Sequence, residues 1–296
     1  MVILLRQARD RHRESKEDAF SQQGAYPANN DMVKWAQRDT TNTDGPGLWT
    51  GFYPEIPRSA TPLRQWRRDL KTAWQLLASV ADTCATESAR FDLADVGREY
   101  LQVGVCAAFY EEMVNAYNAS SVENVSRVGA ALVESVLDID TLLSTHSGFT
   151  LGGWINLSRA LGHTPAEKAL MEWNARSQVT SWTPYSKLDP LPVPCAVLVA
   201  KGQPCHGIDG YAQKQWGGLS REQHAHRWQM FVDQLSASVA DKRAMNLTHY
   251  AINYTRFMVG WENAQWNATE LPVAGVGDAV GVSKALLRKY GSLDPI

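Results

Sequence analysis

Between residues 61 and 142 apolar side chains return every three or four positions with only short breaks, and that period commits this part of the chain to helices. Thr61 and Pro62 supply an N-cap and a first-turn proline, after which Leu63, Trp66, Leu70, Trp74, Leu77 and Val80 form one stripe. Asp92 can cap a second helix, whose buried face would be Leu93, Val96, Tyr100, Val103, Ala107, Tyr110, Val114 and Tyr117. Ser120 with Glu123 three residues on reads as a capping box, opening a third helix through Val125, Val128, Leu132, Val136, Ile139 and Leu142. Amphipathic helices in direct succession must bury their stripes against one another, so a helical core is the first expectation.

The second half continues the pattern. Thr164, Pro165 and Glu167 form another cap signature, and the helix after it is expected to bury Ala169, Leu170, Trp173 and Val179, with Arg176 on its last turns. Ser220 with Gln223 starts a long helix carrying Ala225, Trp228, Phe231, Val232, Leu235 and Val239 on one face. A final helix near residues 279–290 stops at Gly291. Only Cys195 to Ala200 looks strand-like, and one strand makes no sheet. The expected fold class is therefore all-α, a set of packed amphipathic helices over residues 61–296. Residues 1–60 are polar and broken by Asn29, Asn30, Gly45, Pro46 and Gly47, and read as an irregular leader. That stretch is too short for a TIM barrel, which takes about 250 residues, so no barrel is expected in this chain.

Charge and hydropathy narrow the partners. The chain has 29 Lys and Arg against 31 Asp and Glu, with no basic stripe interleaved with aromatics, so nucleic acid is not an expected partner. The longest apolar run, Cys195 to Ala200, is far shorter than the roughly 18 residues a membrane helix needs. The apolar start, Met1 to Leu5, is also too short for a signal peptide. Yet Asn118, Asn124, Asn156, Asn246, Asn253 and Asn267 all stand in Asn-x-Ser/Thr triplets, where ordinary Ser and Thr usage would give about two. The excess points to secretory-pathway ancestry, lysosomal or extracellular. Cys84, Cys106, Cys195 and Cys205 allow two disulfides in any of three connectivities, and the nearby pair Cys195 and Cys205 is a simple account of its thiols.

Catalytic chemistry is hard to find. A glycoside hydrolase needs two carboxyl groups flanking the scissile bond, and no such pair stands out. Glu111 and Glu112 are adjacent on a helix and face different directions, while Glu167 is explained as a capping residue. His224 and His226 lie two apart, whereas helical metal pairs sit four apart, so no metal is implied. No phosphate or dinucleotide loop occurs, and no cofactor is expected; Gly275 to Gly277 reads as a turn. Eleven tryptophans are many for this length. Trp66, Trp74, Trp173 and Trp228 lie on helical stripes and are expected in the core. Trp182, on a loop before Thr183 and Pro184, is the better ligand-facing candidate.

Five ordered blocks carry a family resemblance: RFDLADVGREYLQ from Arg90, FTLGGWINLSRALGHTPAEKALMEWNARSQVTSW from Phe149, GYAQKQWGGL from Gly210, HRWQMF from His226 and GDAVGVSKALLRKY from Gly277. From about residue 60 onward the chain resembles the C-terminal region of the alpha-N-acetylglucosaminidases, glycoside hydrolases that remove terminal N-acetylglucosamine from heparan sulfate. The resemblance implies an all-helical accessory domain beside a TIM-barrel catalytic domain that holds the catalytic glutamates, so no catalytic residue is expected here. It implies a glycan ending in N-acetylglucosamine as ligand, with Trp182, Tyr211 and Arg176 as substrate-binding candidates and Arg227 as a further matched position. A stand-alone helical carbohydrate-binding protein, or an inactive truncated one, is the alternative. Where the family passes by a short loop from its Trp-Gly-Pro to Asp-Tyr-Ala, this chain has a long insert, residues 185–208. Gln223 and His224 stand where the family often has paired tyrosines.

Overall fold

The chain, seen in a computed structural model that describes residues 60–83, 86–180, 214–264 and 271–293, is built from helices. Helix α1 is Ala60–Val80, α2 is Glu87–Tyr100, and a π-helical turn, Leu101–Cys106, joins α2 without a break to α3, Ala107–Asn118. Helix α4 is Val122–Leu143, followed by the short helices α5, Leu151–Arg159, and α6, Pro165–Gln178. A second π-helical turn, Ser220–Ala225, leads into α7, His226–Ala240, and α8, Leu247–Glu262, and α9, Ala279–Tyr290, complete the order. Among the described residues there is no strand, only a single parallel bridge between Thr150 and Gly217.

Helix α4 is the centre. Its stripe of Val125, Val128, Leu132, Val136, Ile139 and Leu142 is fully buried, and it packs against α2, α3, α7 and α9. Trp74 of α1 reaches this core beneath Gly97 of α2, where an added Cβ would lie 2.5 Å from the indole and 2.7 Å from Leu142; only a glycine lets the ring in. Trp228 and Phe231 of α7 close the other side, Trp228 meeting Tyr110 edge-on at 5.8 Å. Helix α9 is tied to α4 by polar contacts: Lys289 donates to Glu134 and Asp138, and the Tyr290 hydroxyl to Asp138, each at 2.6 Å. A smaller second cluster, Leu151, Ile155, Val179, Leu219, Trp261 and Leu271, sits under α5, α6 and the end of α8.

The helical stripes hold, but several ends and one face differ from expectation. Helix α1 starts at Ala60, so Thr61 and Pro62 lie in its first turn, and Val80 is exposed while Ala78 and Ala81 are buried. Thr86 rather than Asp92 caps α2, its hydroxyl accepting the Ala89 N–H at 3.2 Å. Nothing between Glu87 and Phe91 breaks a helix, so the helix runs back to the nearest capable cap. Ser121 rather than Ser120 caps α4, because Ser120 turns the chain in the left-handed region at φ 57. Ser220 and Gln223 do not cap α7 either. Both are buried within the π turn, and Asp140 of α4 does the capping from across the core.

The capping box of α6 is present, Thr164 and Glu167 each accepting the other's backbone N–H. Of its expected buried face, Val179 is buried but the rest differs. Ala169 and Leu170 are exposed and Trp173 is half-buried, whereas Glu172, Ala175, Arg176 and Ser177 point inward. Helices α5 and α8 were not anticipated. Cys106 is a free, buried thiol against the Ser135 hydroxyl, which rules out a framework of two disulfides using all four cysteines. Burial pushes that thiol up to about 12, so it packs as a small apolar group. Cys84, Cys195 and Cys205 lie outside the described residues, as do the leader through residue 59, the strand-like run and the 185–208 insert.

Candidate functional site

The second cluster gathers tryptophans from distant parts of the chain. Trp154 of α5 donates its indole N–H to the Ala175 carbonyl of α6 at 3.0 Å, which fixes the ring across the helical hairpin. Its neighbour is Trp216, 5.7 Å away between ring centroids, and the Lys214 ammonium sits 5.7 Å from the centre of the Trp216 ring. Trp261, at the end of α8, donates to a Glu222 carboxylate oxygen. Trp154 and Trp216 are each partly exposed at the edge of this cluster.

Residues 214–218 are held in place from four directions. His224 donates Nε2–H to the Lys214 carbonyl at 2.9 Å, and Arg98 donates to the Gln215 side chain at 3.2 Å. The Gly217 N–H bonds the Phe149 carbonyl at 2.7 Å and its carbonyl takes the Leu151 N–H at 3.0 Å. Asp140 accepts the Gly218 N–H at 2.7 Å, the Arg221 N–H at 2.9 Å and Arg221 Nε at 3.0 Å. Burial pushes the Asp140 carboxyl up, an effect that Arg221 and the two N–H donors oppose. Burial likewise holds His224 down to about 4, so the ring is neutral and keeps its donor role. Gly217 has no alternative: a Cβ there would lie 2.3 Å from the Ser144 hydroxyl and 2.7 Å from Ser144 Cα and N. Gly217→Ala therefore displaces the segment, lowers stability by about 1–3 kcal/mol and weakens the Trp154–Trp216 contact. Thermal unfolding followed at the tryptophans checks both effects, and an unshifted melting curve would refute the role.

Behind the tryptophans lies a charged layer. Arg176, 2% exposed, donates to Glu172 from Nε and Nη2 at 3.1 Å, and its guanidinium lies 4.6 Å over the Trp261 ring. Glu172 is also paired with Arg159 of α5. Thr180 is within hydrogen-bond reach of the Arg176 carbonyl at 2.8 Å and of Glu262 at 2.6 Å. Arg176 is thus committed to holding Trp261 and the end of α6. Glu172, Glu222 and Glu262 each have such a partner too, so these carboxylates serve as structural acceptors. Glu111 pairs with Arg67 and Glu112 with Arg127, in separate directions as their spacing implies. Among the described residues no group of three or more His, Cys, Asp and Glu could hold a metal ion.

The remaining sequence candidates are dispersed. Trp182 and Tyr211 lie outside the described residues. Arg227 is buried and lies 4.5 Å over Tyr254. His224 and His226 part company, the first buried and the second exposed and stacked on Phe257 at 4.4 Å. Trp154, Trp216 and Trp261 were not singled out in the sequence. The first two do fall inside the conspicuous blocks FTLGGWINLSR and GYAQKQWGGL, which was the available signal.

Comparison with known proteins agrees with this architecture. Over 226 residues the chain is 29% identical to human alpha-N-acetylglucosaminidase, covering 76% of this chain and 27% of that protein. Its fold matches a family 89 glycoside hydrolase from Clostridium perfringens. The complex of that enzyme with its substrate GlcNAc-alpha-1,4-galactose superposes with a TM-score of 0.61 at 23% identity, covering 75% of this chain and 23% of that one. Its complex with PUGNAc gives 0.60 at 22%, covering 78% and 24%. The chain thus spans about a quarter of the relatives' length. Residues 8–289 match the alpha-N-acetylglucosaminidase (NAGLU) C-terminal domain, a match that starts within the polar leader and leaves no room for a barrel in this sequence. A helical core and a match over nearly the whole length lead to one assignment: the chain belongs to the alpha-N-acetylglucosaminidase C-terminal domain family.

Proposed function

We propose that this chain forms one wall of the sugar pocket of an alpha-N-acetylglucosaminidase-like exo-glycosidase, working beside a TIM-barrel catalytic domain that supplies the acid and the nucleophile. The partly exposed Trp154–Trp216 pair, with Lys214 against it, carries this reading: aromatic rings pack against the C–H side of a sugar ring, and an ammonium donates to its hydroxyl oxygens. The ligand class is a glycan ending in α-linked N-acetylglucosamine, of which the heparan sulfate chain is the family's example. Within the pocket Arg176 positions Trp261, and Trp182 and Tyr211 contribute contacts to the sugar. The exposed apolar side chains of the α5–α6 hairpin, Leu157 and Leu161 at 69% and 70% and Leu170 on α6, support a domain that is covered by further protein in use. The sequons support passage through the secretory pathway, with Asn118, Asn124, Asn156, Asn246, Asn253 and Asn267 as acceptors.

Two measurements test the reading. The purified chain leaves a chromogenic alpha-N-acetylglucosaminide intact, and turnover above a no-protein control would overturn the division of labour. Calorimetric titration with an oligosaccharide ending in α-N-acetylglucosamine gives weak binding that Trp216→Ala reduces about tenfold, worth about 1.4 kcal/mol. Equal binding by the variant, with its melting temperature unchanged, would remove the Trp154–Trp216 pair from the pocket.

A further inference from the structure

The turn between α7 and α8 places a sequon at the start of a helix. Asn246, followed by Leu247 and Thr248, is the N-cap of α8: its Oδ1 accepts the His249 N–H at 2.9 Å, and its backbone carbonyl accepts the Gln234 side-chain amide. The side chain is exposed. A capping asparagine uses only its oxygen, so the cap itself makes no demand on Nδ2. The other described sequons differ. Asn253, two turns further along α8, already donates Nδ2–H to His249 Nε2 at 2.9 Å. Asn118 is half-buried at the end of α3, and Asn124 and Asn156, although exposed, lie within α4 and α5 and cap neither helix.

We propose that Asn246 is an N-glycosylation site in which one side chain serves twice, Oδ1 capping α8 while Nδ2 carries an N-acetylglucosamine-based glycan. In the transfer a lipid-diphosphate-linked oligosaccharide is the donor. The bond from Nδ2 to the anomeric carbon forms, the bond from that carbon to the diphosphate oxygen breaks, Nδ2 loses one proton and the lipid diphosphate departs. Oδ1 keeps its lone pairs, so the cap survives modification. A glycan here shields the α7–α8 turn and leaves that face free of a protein partner, so any catalytic domain docks elsewhere. The proposal rests on the secretory reading for its cellular setting alone.

The test expresses the full chain behind a secretion signal in a eukaryotic host, which supplies the compartment and the donor whatever the natural location. Peptide N-glycanase in heavy-oxygen water removes the glycans from the digested peptides, converting each occupied asparagine to a heavy-oxygen-labelled aspartate. The expected result is a mark at Asn246 in most molecules, lost in Thr248→Ala. Asn246→Asp loses the glycan but melts with the deglycosylated parent, because a carboxylate also caps, whereas Asn246→Ala melts lower. Asn246 unmarked while another sequon is marked, or no mark at any sequon, would overturn the proposal. An unglycosylated protein from the natural source, with Asn246 marked in the host, would instead sink only the secretory reading.

Discussion

Truncating Glu172 to alanine lowers stability by about 3–5 kcal/mol, because it strips a buried guanidinium of its counter-charge. Arg176 cannot turn to water: it is 2% exposed, packed over Trp261 and bonded to Glu172 from two nitrogens. Arg159, the other partner of Glu172, is about a third exposed and can be resolvated, so Arg159→Ala costs no more than about 1 kcal/mol. The contrast is diagnostic, since a purely local helix effect would make the variants alike. Replacing the pair together, Glu172→Leu with Arg176→Met, restores most of the loss, because an ion pair traded for apolar groups of similar volume is often neutral. Urea unfolding of the four proteins measures all of this. A Glu172→Ala variant within 1 kcal/mol of the parent would show that the layer behind the tryptophans is hydrated and that Arg176 does not depend on its partner.

The same layer explains what the sequence did and did not disclose. In α4 and α7 most inward positions are apolar, with Ser135, Asp140, Arg227 and Ser238 the polar exceptions, and a 3.6-residue period still finds the buried face. In α6 the inward positions include Glu172 and Arg176, which neutralise each other one turn apart beside Ala175 and Ser177, while Ala169 and Leu170 are turned outward. A rule that sends charge to the surface inverts such a helix. The π turns are hidden for a related reason: all six residues of Leu101–Cys106 are buried, Gln102 included, and a wider turn leaves no polar gap to mark it. Helix α8 buries Tyr250, Thr255, Met258, Trp261 and Glu262, a mixed stripe that carries little periodic signal beyond its Asn246 cap. The Trp154–Trp216 contact joins residues far apart in the chain, and the cap on residues 218–221 comes from Asp140, so no local spacing reports either. Trp154 and Trp216 each fall inside a conspicuous block, but their pairing could not be read from either.

Lowering the pH from 7 to 4 costs this fold about 3 kcal/mol through His224 alone. The ring is buried and donates Nε2–H to the Lys214 carbonyl, and burial, then the Arg227 charge, holds its pKa down to about 4 against that bond's opposing pull. In the unfolded chain an ordinary histidine takes a proton near 6.5. The unfolded state therefore gains the proton first, and the stability held above pH 6.5 is lost as pH falls towards 4, with no further loss from this group below that. Asp140 acts with the opposite sign, since its raised carboxyl binds a proton more readily folded than unfolded. It offsets part of the loss near the acid end. Denaturant unfolding at pH 7, 5.5 and 4, compared between the parent and His224→Gln, isolates the histidine because the carboxylates are common to both. The parent should lose about 3 kcal/mol more than the variant over that interval. Parallel losses would mean that His224 takes its proton as readily folded as unfolded, so that burial does not hold the ring neutral at acid pH.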